Sequence, residues 1–458
     1  MKDLPPLEGL SSGEKDALIR ELWQRVQALQ ALQAEAEKRQ RKGVKKTPCN
    51  SSLPPAKGFK PNSEGSKPSQ SQRTASVGRS GGGRDLSLSP NQVVVARVSR
   101  CPHCGSEVER ASQHLKAVYE RIELPQVRPQ VTRVERYGGQ CSCCQQSYEA
   151  PVPVGLEPGS PFGQSIASVV TYLRYHHAVS YQRLSQLMAD LYGVALSEGA
   201  IANLLQRVQT QLAAPVAKIV ERLRRARLVC SDETSARLNG RNQWEWVFQN
   251  EQVCLHVIRP SRGKAVIDET MAGHRPQVWV SDLFSAQKAH PAERWQVCLA
   301  HQLRDCQYAI DADDDLFAPR MKRLLLRAIA LNRRRQTLAE STVRQYCSRL
   351  RGALREILNL KPKSLEGQRL LKRYQKIREH LLLFLDDETV PPTNNSSEQA
   401  LRWSVVFRKV THGFRSDWGA ELFAQVRSLV NTARRQGISA FEAISHALTS
   451  QQTDWLLS

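Results

Sequence analysis

The hydrophobic pattern between residues 226 and 310 restricts the fold more than any other feature of this chain. Three short runs rich in Val, Leu, Trp and Cys come first, separated by polar turns such as Asn-Gly-Arg-Asn. A helical segment, a fourth run that ends at Asp282, and a fifth run followed by a helix come next. Short runs between turn signals are typical of strands, whereas periodicity at three and four residues predicts helices. The sequence therefore predicts a mixed α/β domain.

The order of these segments narrows the prediction. Three strands, a helix, a strand, and then a strand and a helix form the order expected of a ribonuclease-H-like α/β domain, to which we assign residues 225–458. A very basic and almost continuously helical stretch runs from Asp315 to Leu385. It predicts a long helical insertion at about 313–390, followed by the final helices from Asn395 onward.

Two segments of different character begin the chain. Residues 1–42 contain a helical pattern that predicts either a short coiled coil or a lone amphipathic helix. Its apolar residues recur at three- and four-residue steps: Leu18, Leu22, Val26, Leu29 and Leu32. Residues 43–92 are rich in Ser, Pro, Gly, Lys and Arg, and they cannot bury enough apolar surface to offset their chain entropy. We therefore expect a disordered basic linker there.

Paired cysteines predict a zinc-binding domain at 93–155. Two C-x2-C pairs can together supply four thiolates to one tetrahedral zinc ion. The predicted ligands are Cys101, Cys104, Cys141 and Cys144, and His103 and Cys143 are rival candidates. Because the interval between the pairs exceeds the usual ~15–20 residues, we expect a hairpin or small sheet to fill it. The alternative is a set of reduced, buried cysteines without metal.

Residues 160–224 predict a helical DNA-binding domain. A helix, a turn that contains Gly193, an N-cap at Ser197 and a second helix from about Glu198 have the length and turn chemistry of a helix-turn-helix. Ordinary packing of two short helices would give the same pattern, so both interpretations stay open.

Three acidic residues are the candidate catalytic groups. Asp232 and Asp282 each follow a buried apolar run, where a carboxylate is costly without a partner. Together with Glu398, they would converge at the carboxyl edge of the sheet and supply the oxygen ligands that Mg²⁺ prefers. Two such ions can support an in-line displacement at phosphorus. Other carboxylates compete for this role: Glu233, Asp305, Asp313 to Asp315, and Asp386 to Glu388.

Glu398 also has a purely structural interpretation. Asn395-Ser-Ser-Glu398 fits a capping box, and Glu398 with Arg402 fits an ion pair at i,i+4. Basic residues follow on the same predicted helix, and Arg402, Arg408 and Lys409 are candidate phosphate contacts. Arg402 and Lys409 share the helical face of Glu398, so they are also candidates for active-site support. An acid and bases on one face are suited to a site that holds metal beside a phosphate.

Cys298-Leu-Ala-His301 follows the fifth strand. This pair could bind metal together with Cys306, or it could simply pack and hydrogen-bond. We regard His301 as a further candidate for active-site support near a phosphate.

Charge and composition indicate the partner and the compartment. The chain has 458 residues and a formal charge of +22, with Lys and Arg spread along most of its length. This distribution favours a long DNA or RNA partner. No apolar run approaches the roughly 18 residues that span a bilayer, and the first residues lack the apolar core of a signal peptide. We expect a cytoplasmic, nucleoid-associated protein without a membrane partner, whose eleven cysteines are reduced.

At these motifs the chain resembles the large transposase of the insertion sequence 66 family, a group of bacterial DDE transposases. The helix at the start resembles that family's leucine-zipper segment, and Asn50-Ser-Ser-Leu-Pro-Pro55 resembles its linker motif. The paired cysteines are similar to its zinc-binding domain. Asp232-Glu-Thr is similar to its first catalytic segment, and Asn394-Asn-Ser-Ser-Glu398-Gln-Ala-Leu-Arg402 resembles its last signature. Gln399 replaces the commoner Arg, and the neighbours of Asp282 depart from the family pattern.

The resemblance implies a DDE transposase with Asp232, Asp282 and Glu398 as catalytic ligands of Mg²⁺ or Mn²⁺ and with Zn²⁺ in the cysteine domain. Such an enzyme binds terminal inverted repeats, frees 3′-hydroxyl ends and transfers them to target DNA. It implies a homodimer or larger assembly and element-encoded accessory proteins as partners. Two alternatives use the same features: a catalytically silent DNA-binding regulator, and a structure-specific nuclease on the same fold.

Overall fold

A computed structural model describes residues 11–42, 46, 50–51 and 84–449, with only the backbone for 31–42. Most of the predicted linker therefore lies outside the described residues. The chain is a mixed α/β protein, as predicted. By their internal contacts, the described residues belong to two compact units. The larger is drawn from Met1–Gly58, Val134–Leu187 and Ala195–Ser458, and the smaller from Phe59–Arg133 and Met188–Val194.

Helix α1 (Ser12–Lys42) occupies the predicted helical segment. Its start is fixed by Glu14, whose carboxylate accepts hydrogen bonds from both the backbone N–H and the hydroxyl of Ser11, each at 2.8 Å. Large apolar side chains along it are exposed, including Trp23 and Leu29. The coiled coil stays a prediction.

The hairpin predicted between the cysteine pairs is wrong. Residues 113–137 contain no strand, and two short antiparallel strands, β1 (Gly138–Gln140) and β2 (Ser147–Glu149), instead flank the second pair. The physical reason is that this segment buries neither face: Leu115, Tyr119 and Val131 are all more than four-fifths exposed. Pro125 and Pro129 also lack the N–H group that a strand ladder requires.

Four helical elements lie between β2 and the main sheet. Helix α2 (Gln164–Thr171) continues into a π-helical turn, and α3 (Tyr181–Tyr192) and α4 (Glu198–Leu223) follow. The predicted N-cap is confirmed, because the Ser197 hydroxyl accepts a hydrogen bond from Ala200 N at 3.1 Å. Gly193 has a φ of +65°, which glycine adopts without strain. The predicted helices are therefore present, whereas their binding to DNA is untested.

The main sheet contains the five predicted strands. They are β3 (Leu228–Leu238), β4 (Arg241–Gln249), β5 (Cys254–Arg259), β6 (Val278–Ser281) and β7 (Arg294–Val297), in the spatial order β5-β4-β3-β6-β7. The first three are antiparallel neighbours, whereas β3, β6 and β7 are parallel. Asn239 and Gly240 form the β3–β4 turn with positive φ angles of 49° and 75°, as a tight hairpin turn requires.

Helices connect and cover these strands. Helix α5 (Ala265–Met271) joins β5 to β6, and α6 (Leu299–Asp311) follows β7. The predicted basic helical stretch consists of α7 (Phe317–Arg334), α8 (Glu340–Leu358) and α9 (Leu365–Ile377). The last helices are α10 (Asn395–Thr411), α11 (Asp417–Arg435) and α12 (Ala440–Thr449). Helix α11 packs against α4 and β5, and α10 packs against β3 and β4. None of the described helices is long and apolar enough to cross a bilayer.

A buried polar cluster ties the last helices to the sheet. The Glu245 carboxylate on β4 lies 2.8 Å from His256 Nδ1 on β5, and the Ser404 hydroxyl on α10 donates to it at 2.7 Å. On the other side of the imidazole, Asn431 Nδ2 on α11 lies 2.8 Å from His256 Nε2. The side chains of Glu245 and His256 are almost fully excluded from solvent. This cluster therefore fixes both helices against the same two strands.

We expect Glu245→Ala to lower the free energy of unfolding by about 3 kcal/mol, because the buried groups of His256 and Ser404 lose their shared acceptor. Glu251→Ala, in the exposed β4–β5 turn, is the matched control and should change it by less than about 0.5 kcal/mol. Denaturant unfolding followed by circular dichroism measures both. Equal midpoints for the two variants would contradict a stabilising role for the cluster.

Candidate active site

Asp232 and Asp282 occupy equivalent positions on neighbouring parallel strands. The register of β3 and β6 pairs Cys230 with Val280. Each aspartate lies two residues further along its strand direction, so the two stand at the same level, where β6 ends and β3 continues to Leu238. Asp282 directly follows the last residue of β6, and its carboxylate accepts a hydrogen bond from Phe284 N at 2.9 Å. The structure therefore brings these two predicted residues together.

The carboxyl group of Asp232 is in an unfavourable environment for a negative charge. Burial raises its pKa well above the usual range, and the negative charges of Glu233, Asp282 and Glu398 raise it further. One hydrogen bond acts in the opposite direction, since Glu233 N donates to Asp232 Oδ1 at 2.9 Å. Asp282 and Glu398 are therefore both close enough to Asp232 to disfavour its negative charge. A bound cation would relieve this repulsion.

Glu398 lies on the first turn of α10, whose start is attached to β3. The predicted capping box, which begins at Asn395, is wrong. The N-cap is Asn394, and its side chain does not cap the helix. The Asn394 amide instead donates to Ser231 O at 2.8 Å and accepts from the Ser397 hydroxyl at 2.7 Å. This contact fixes the helix start one residue before Asp232 on the strand.

The predicted ion pair between Glu398 and Arg402 is also wrong. Within the described residues, the Glu398 carboxylate pairs with Arg304 Nη2 at 3.2 Å and with His301 Nδ1 at 3.7 Å, and both partners lie on α6. Sequence reasoning missed Arg304, because spacing along one helix gives no information about partners on another. One sequence feature did point to Arg304. It falls three residues after His301, so both lie on the same face of a predicted helix.

The basic residues of α10 differ in exposure. Arg402 and Lys409 are exposed, about one and three turns beyond Glu398. Arg408 is half-buried and donates to the Ser235 hydroxyl on β3 at 2.9 Å, and burial lowers the pKa of its guanidinium group. Two of the three predicted phosphate contacts are therefore open to solvent, and Arg402 is the nearer of the two to Glu398.

Six of the eight competing carboxylates are engaged elsewhere. The Glu233 side chain is only 1% exposed and accepts hydrogen bonds from Arg262 Nη2 and Gln287 Nε2, each at 2.8 Å. Four others pair with arginines: Asp305 with Arg373, Asp386 with Arg351, Asp387 with Arg227 and Glu388 with Arg335. Asp314 accepts from Ala318 N and from the Ser364 hydroxyl. Glu398 is itself paired with Arg304, whereas among the described residues the carboxylates of Asp232 and Asp282 accept only backbone N–H groups.

Cys298 and His301 lie beside Glu398. A ligand atom from each of these three residues falls within 4.8 Å of the other two. Cys306, the other ligand considered from the sequence, is not part of this group, since its sulfur lies 3.3 Å from the hydroxyl of Tyr374. His301 therefore lies close enough to Glu398 for its predicted role in active-site support.

The two cysteine pairs lie in different units and have the same local backbone. In the first, Cys101 N donates to Ser106 O at 2.8 Å and Gly105 N to Cys101 O at 2.9 Å. In the second, Cys141 N donates to Gln146 O and Gln145 N to Cys141 O at the same distances. Hydrogen bonds lower the pKa of the Cys104 thiol, chiefly from the Ser106 side chain, and that of Cys141, chiefly from Cys144 N. Thiols of lowered pKa are suited to bind metal.

Comparison with known proteins agrees with this geometry. A profile described as "Transposase IS66 family" matches residues 159–422, which is more than half of the chain. The chain belongs to the IS66 family of transposases. The matched span contains the five-stranded sheet, all three predicted acids and the Cys298–His301 pair. The chain is also similar to a protein of Sinorhizobium fredii (strain NBRC 101917 / NGR234) named "Uncharacterized protein y4jD", at 23% identity over 81% of this chain and 79% of that protein.

Proposed function

We propose that this IS66-family protein is a DDE transposase that binds the ends of its element, cleaves them with Mg²⁺ and joins the 3′-hydroxyl ends to target DNA. The observation that carries the proposal is the environment of Asp232, a buried carboxyl group whose charge Asp282 and Glu398 disfavour further, because a bound cation would offset this cost. The sheet order β5-β4-β3-β6-β7, with β4 antiparallel to β3, is that of a ribonuclease-H-like domain and supports the same conclusion.

The residues present fit a hard divalent cation. Carboxylate oxygens are the ligands that Mg²⁺ and Mn²⁺ prefer, and Asp232, Asp282 and Glu398 would hold the ion. When bound, such ions activate the attacking oxygen and stabilise the leaving oxygen of a phosphodiester. Arg402, Arg408 and Lys409 on α10 would contact the DNA phosphates beside the acids. Arg304 holds the Glu398 carboxylate in place through its ion pair.

Two chemical steps follow from this arrangement. Water attacks the phosphodiester at the element end, and the bond to the 3′-oxygen breaks to leave a 3′-hydroxyl. That hydroxyl then attacks a phosphodiester of the target, so one P–O bond forms as another breaks. The protein's own groups orient the two reacting phosphates, and the +22 charge favours retention of both DNA segments.

Other segments would supply DNA binding and assembly. We assign recognition of the element ends to the cysteine segment, whose pairs Cys101–Cys104 and Cys141–Cys144 would bind zinc, and to helices α3 and α4. Joining two ends to one target requires both ends to be held together, so a dimer or larger assembly follows. The exposed apolar side chains of α1 are suited to that contact.

The test uses labelled DNA from the element ends and a supercoiled plasmid. With Mg²⁺ we expect the full chain to bind the ends and join them to the plasmid, and with EDTA to bind without joining. End binding without joining under both conditions would contradict the proposal in favour of a DNA-binding regulator. Cleavage of the ends without joining would favour a nuclease.

A further inference from the structure

We infer that Cys298, His301 and Glu398 form a binding site for a thiophilic divalent metal, with Zn²⁺ the best-matched ion. One sulfur, one imidazole nitrogen and one carboxylate oxygen already lie within 4.8 Å of one another. Three protein ligands of these types with a fourth position open is the composition of many zinc sites. Tetrahedral zinc places its ligand atoms about 3.3–3.6 Å apart, so small side-chain rotations would close the site.

The sulfur of Cys298 is held in a fixed position. Cys298 is fully buried at the start of α6, and Asn394 N donates to its sulfur at 3.1 Å. Burial raises the pKa of this thiol to about 11, whereas hydrogen bonds from Asn394 and from the backbone of His301 and Ala300 act in the opposite direction. Backbone N–H groups directed at one sulfur stabilise the thiolate that a metal requires, and the metal itself supplies the remaining charge compensation.

The imidazole of His301 supplies the second, independent observation. Its Nδ1 atom is buried, and no described group forms a hydrogen bond with it. That nitrogen lies 3.7 Å from Glu398 Oε1, on the side of the cluster. A buried polar atom without a hydrogen bond costs about 1–3 kcal/mol, and coordination would remove this cost. Asp305, one turn further along α6, interacts electrostatically with His301.

The ligand types separate this site from the proposed magnesium site. Thiolate and imidazole select zinc and related metals, whereas Asp232 and Asp282 offer only oxygen. Glu398 would be shared between the two, with Arg304 still paired to its carboxylate. The inference rests on the proposed function only through this shared residue, because the site itself requires neither DNA nor transposition.

The test is the metal content of the purified full chain after Zn²⁺ loading and removal of unbound metal. We expect wild type to hold one equivalent more than Cys298→Ser. Cys306→Ser is the matched control, because Cys306 is a second buried cysteine on α6 that bonds to Tyr374 instead. It should match wild type. Zinc in the cysteine pairs contributes equally to all three proteins and cancels in the difference.

A second variant and a second readout protect the test against misfolding. Should Cys298→Ser not fold, His301→Gln is expected to lose the same equivalent. Co²⁺ loading is expected to give a thiolate-to-metal absorption band that is weaker in Cys298→Ser than in Cys306→Ser. Equal metal content and equal bands in all folded proteins would overturn the inference. A chain that loses one equivalent in Cys298→Ser, yet never joins DNA, would refute the proposed function and keep the metal site.

Discussion

Glu398→Gln is expected to bind element-end DNA as wild type does and to join it to target DNA at least about 100-fold more slowly. The substitution keeps the size of the side chain and removes its charge. The helix start should be unaffected, since Asn394, not Glu398, attaches α10 to the sheet. The amide oxygen of Gln can still accept a hydrogen bond from Arg304. The loss would therefore report the missing carboxylate rather than a displaced helix.

The matched control for this prediction is Glu366→Gln. Glu366 is also a half-buried acid on the first turn of a helix, and it pairs with Arg369 at 2.6 Å. It lies on α9, among the inserted helices, and the variant should join DNA at the wild-type rate. Joining is measured with labelled ends and a plasmid at saturating Mg²⁺. If both variants join equally well, Glu398 is only a contact between α10 and α6.

Asp232→Asn is expected to lose joining activity and, without divalent metal, to unfold at a higher temperature than wild type. Burial and the neighbouring carboxylates disfavour the charge of Asp232, and a neutral amide removes that cost. Asn also keeps the oxygen that accepts from Glu233 N. An opposite change in activity and stability is the behaviour of a functional residue, whereas a structural acid would lose stability when neutralised.

The pH dependence of this effect has a definite sign. The pKa of Asp232 is higher in the folded than in the unfolded chain, so the folded chain binds more protons between these two values. The free energy of unfolding of wild type therefore falls as the pH rises through this interval. Asp232→Asn has no ionisable group at this position, so its stability does not fall for this reason. The two should melt alike near the unfolded pKa of about 3.9 and differ most above the folded pKa.

Thermal unfolding in EDTA and in Mg²⁺ measures both effects. Mg²⁺ should stabilise wild type and leave Asp232→Asn nearly unchanged. Asp268→Asn, an exposed residue of α5 that pairs with Lys264 at 3.5 Å, should respond to Mg²⁺ as wild type does. A lower melting temperature for Asp232→Asn in EDTA at neutral pH would contradict the electrostatic account.

The sequence was sufficient for the features that depend on local pattern. The succession of strands and helices along the chain, the Ser197 cap and the neighbouring positions of Asp232 and Asp282 follow from apolar runs and turn residues. Contacts between distant segments were not accessible in this way. The pairing of Glu398 with Arg304 depends on how α10 docks against α6, and the amide of Asn394 bonds to a strand 163 residues earlier. The hairpin prediction failed because strand-like composition forms no sheet where no face is buried.

The packing of α11 has a consequence for how the protein is made. Its buried face covers β5 and α4, yet 176 residues separate Arg259, the end of β5, from Arg435, the end of α11. At about 5–20 residues per second, a ribosome needs roughly 10–35 s to synthesise that interval. During this time the apolar side chains of β5 and α4 lack their final partner. The nascent chain is therefore a natural client for chaperones, and a prematurely terminated chain would carry the segments proposed to bind DNA without a completed core.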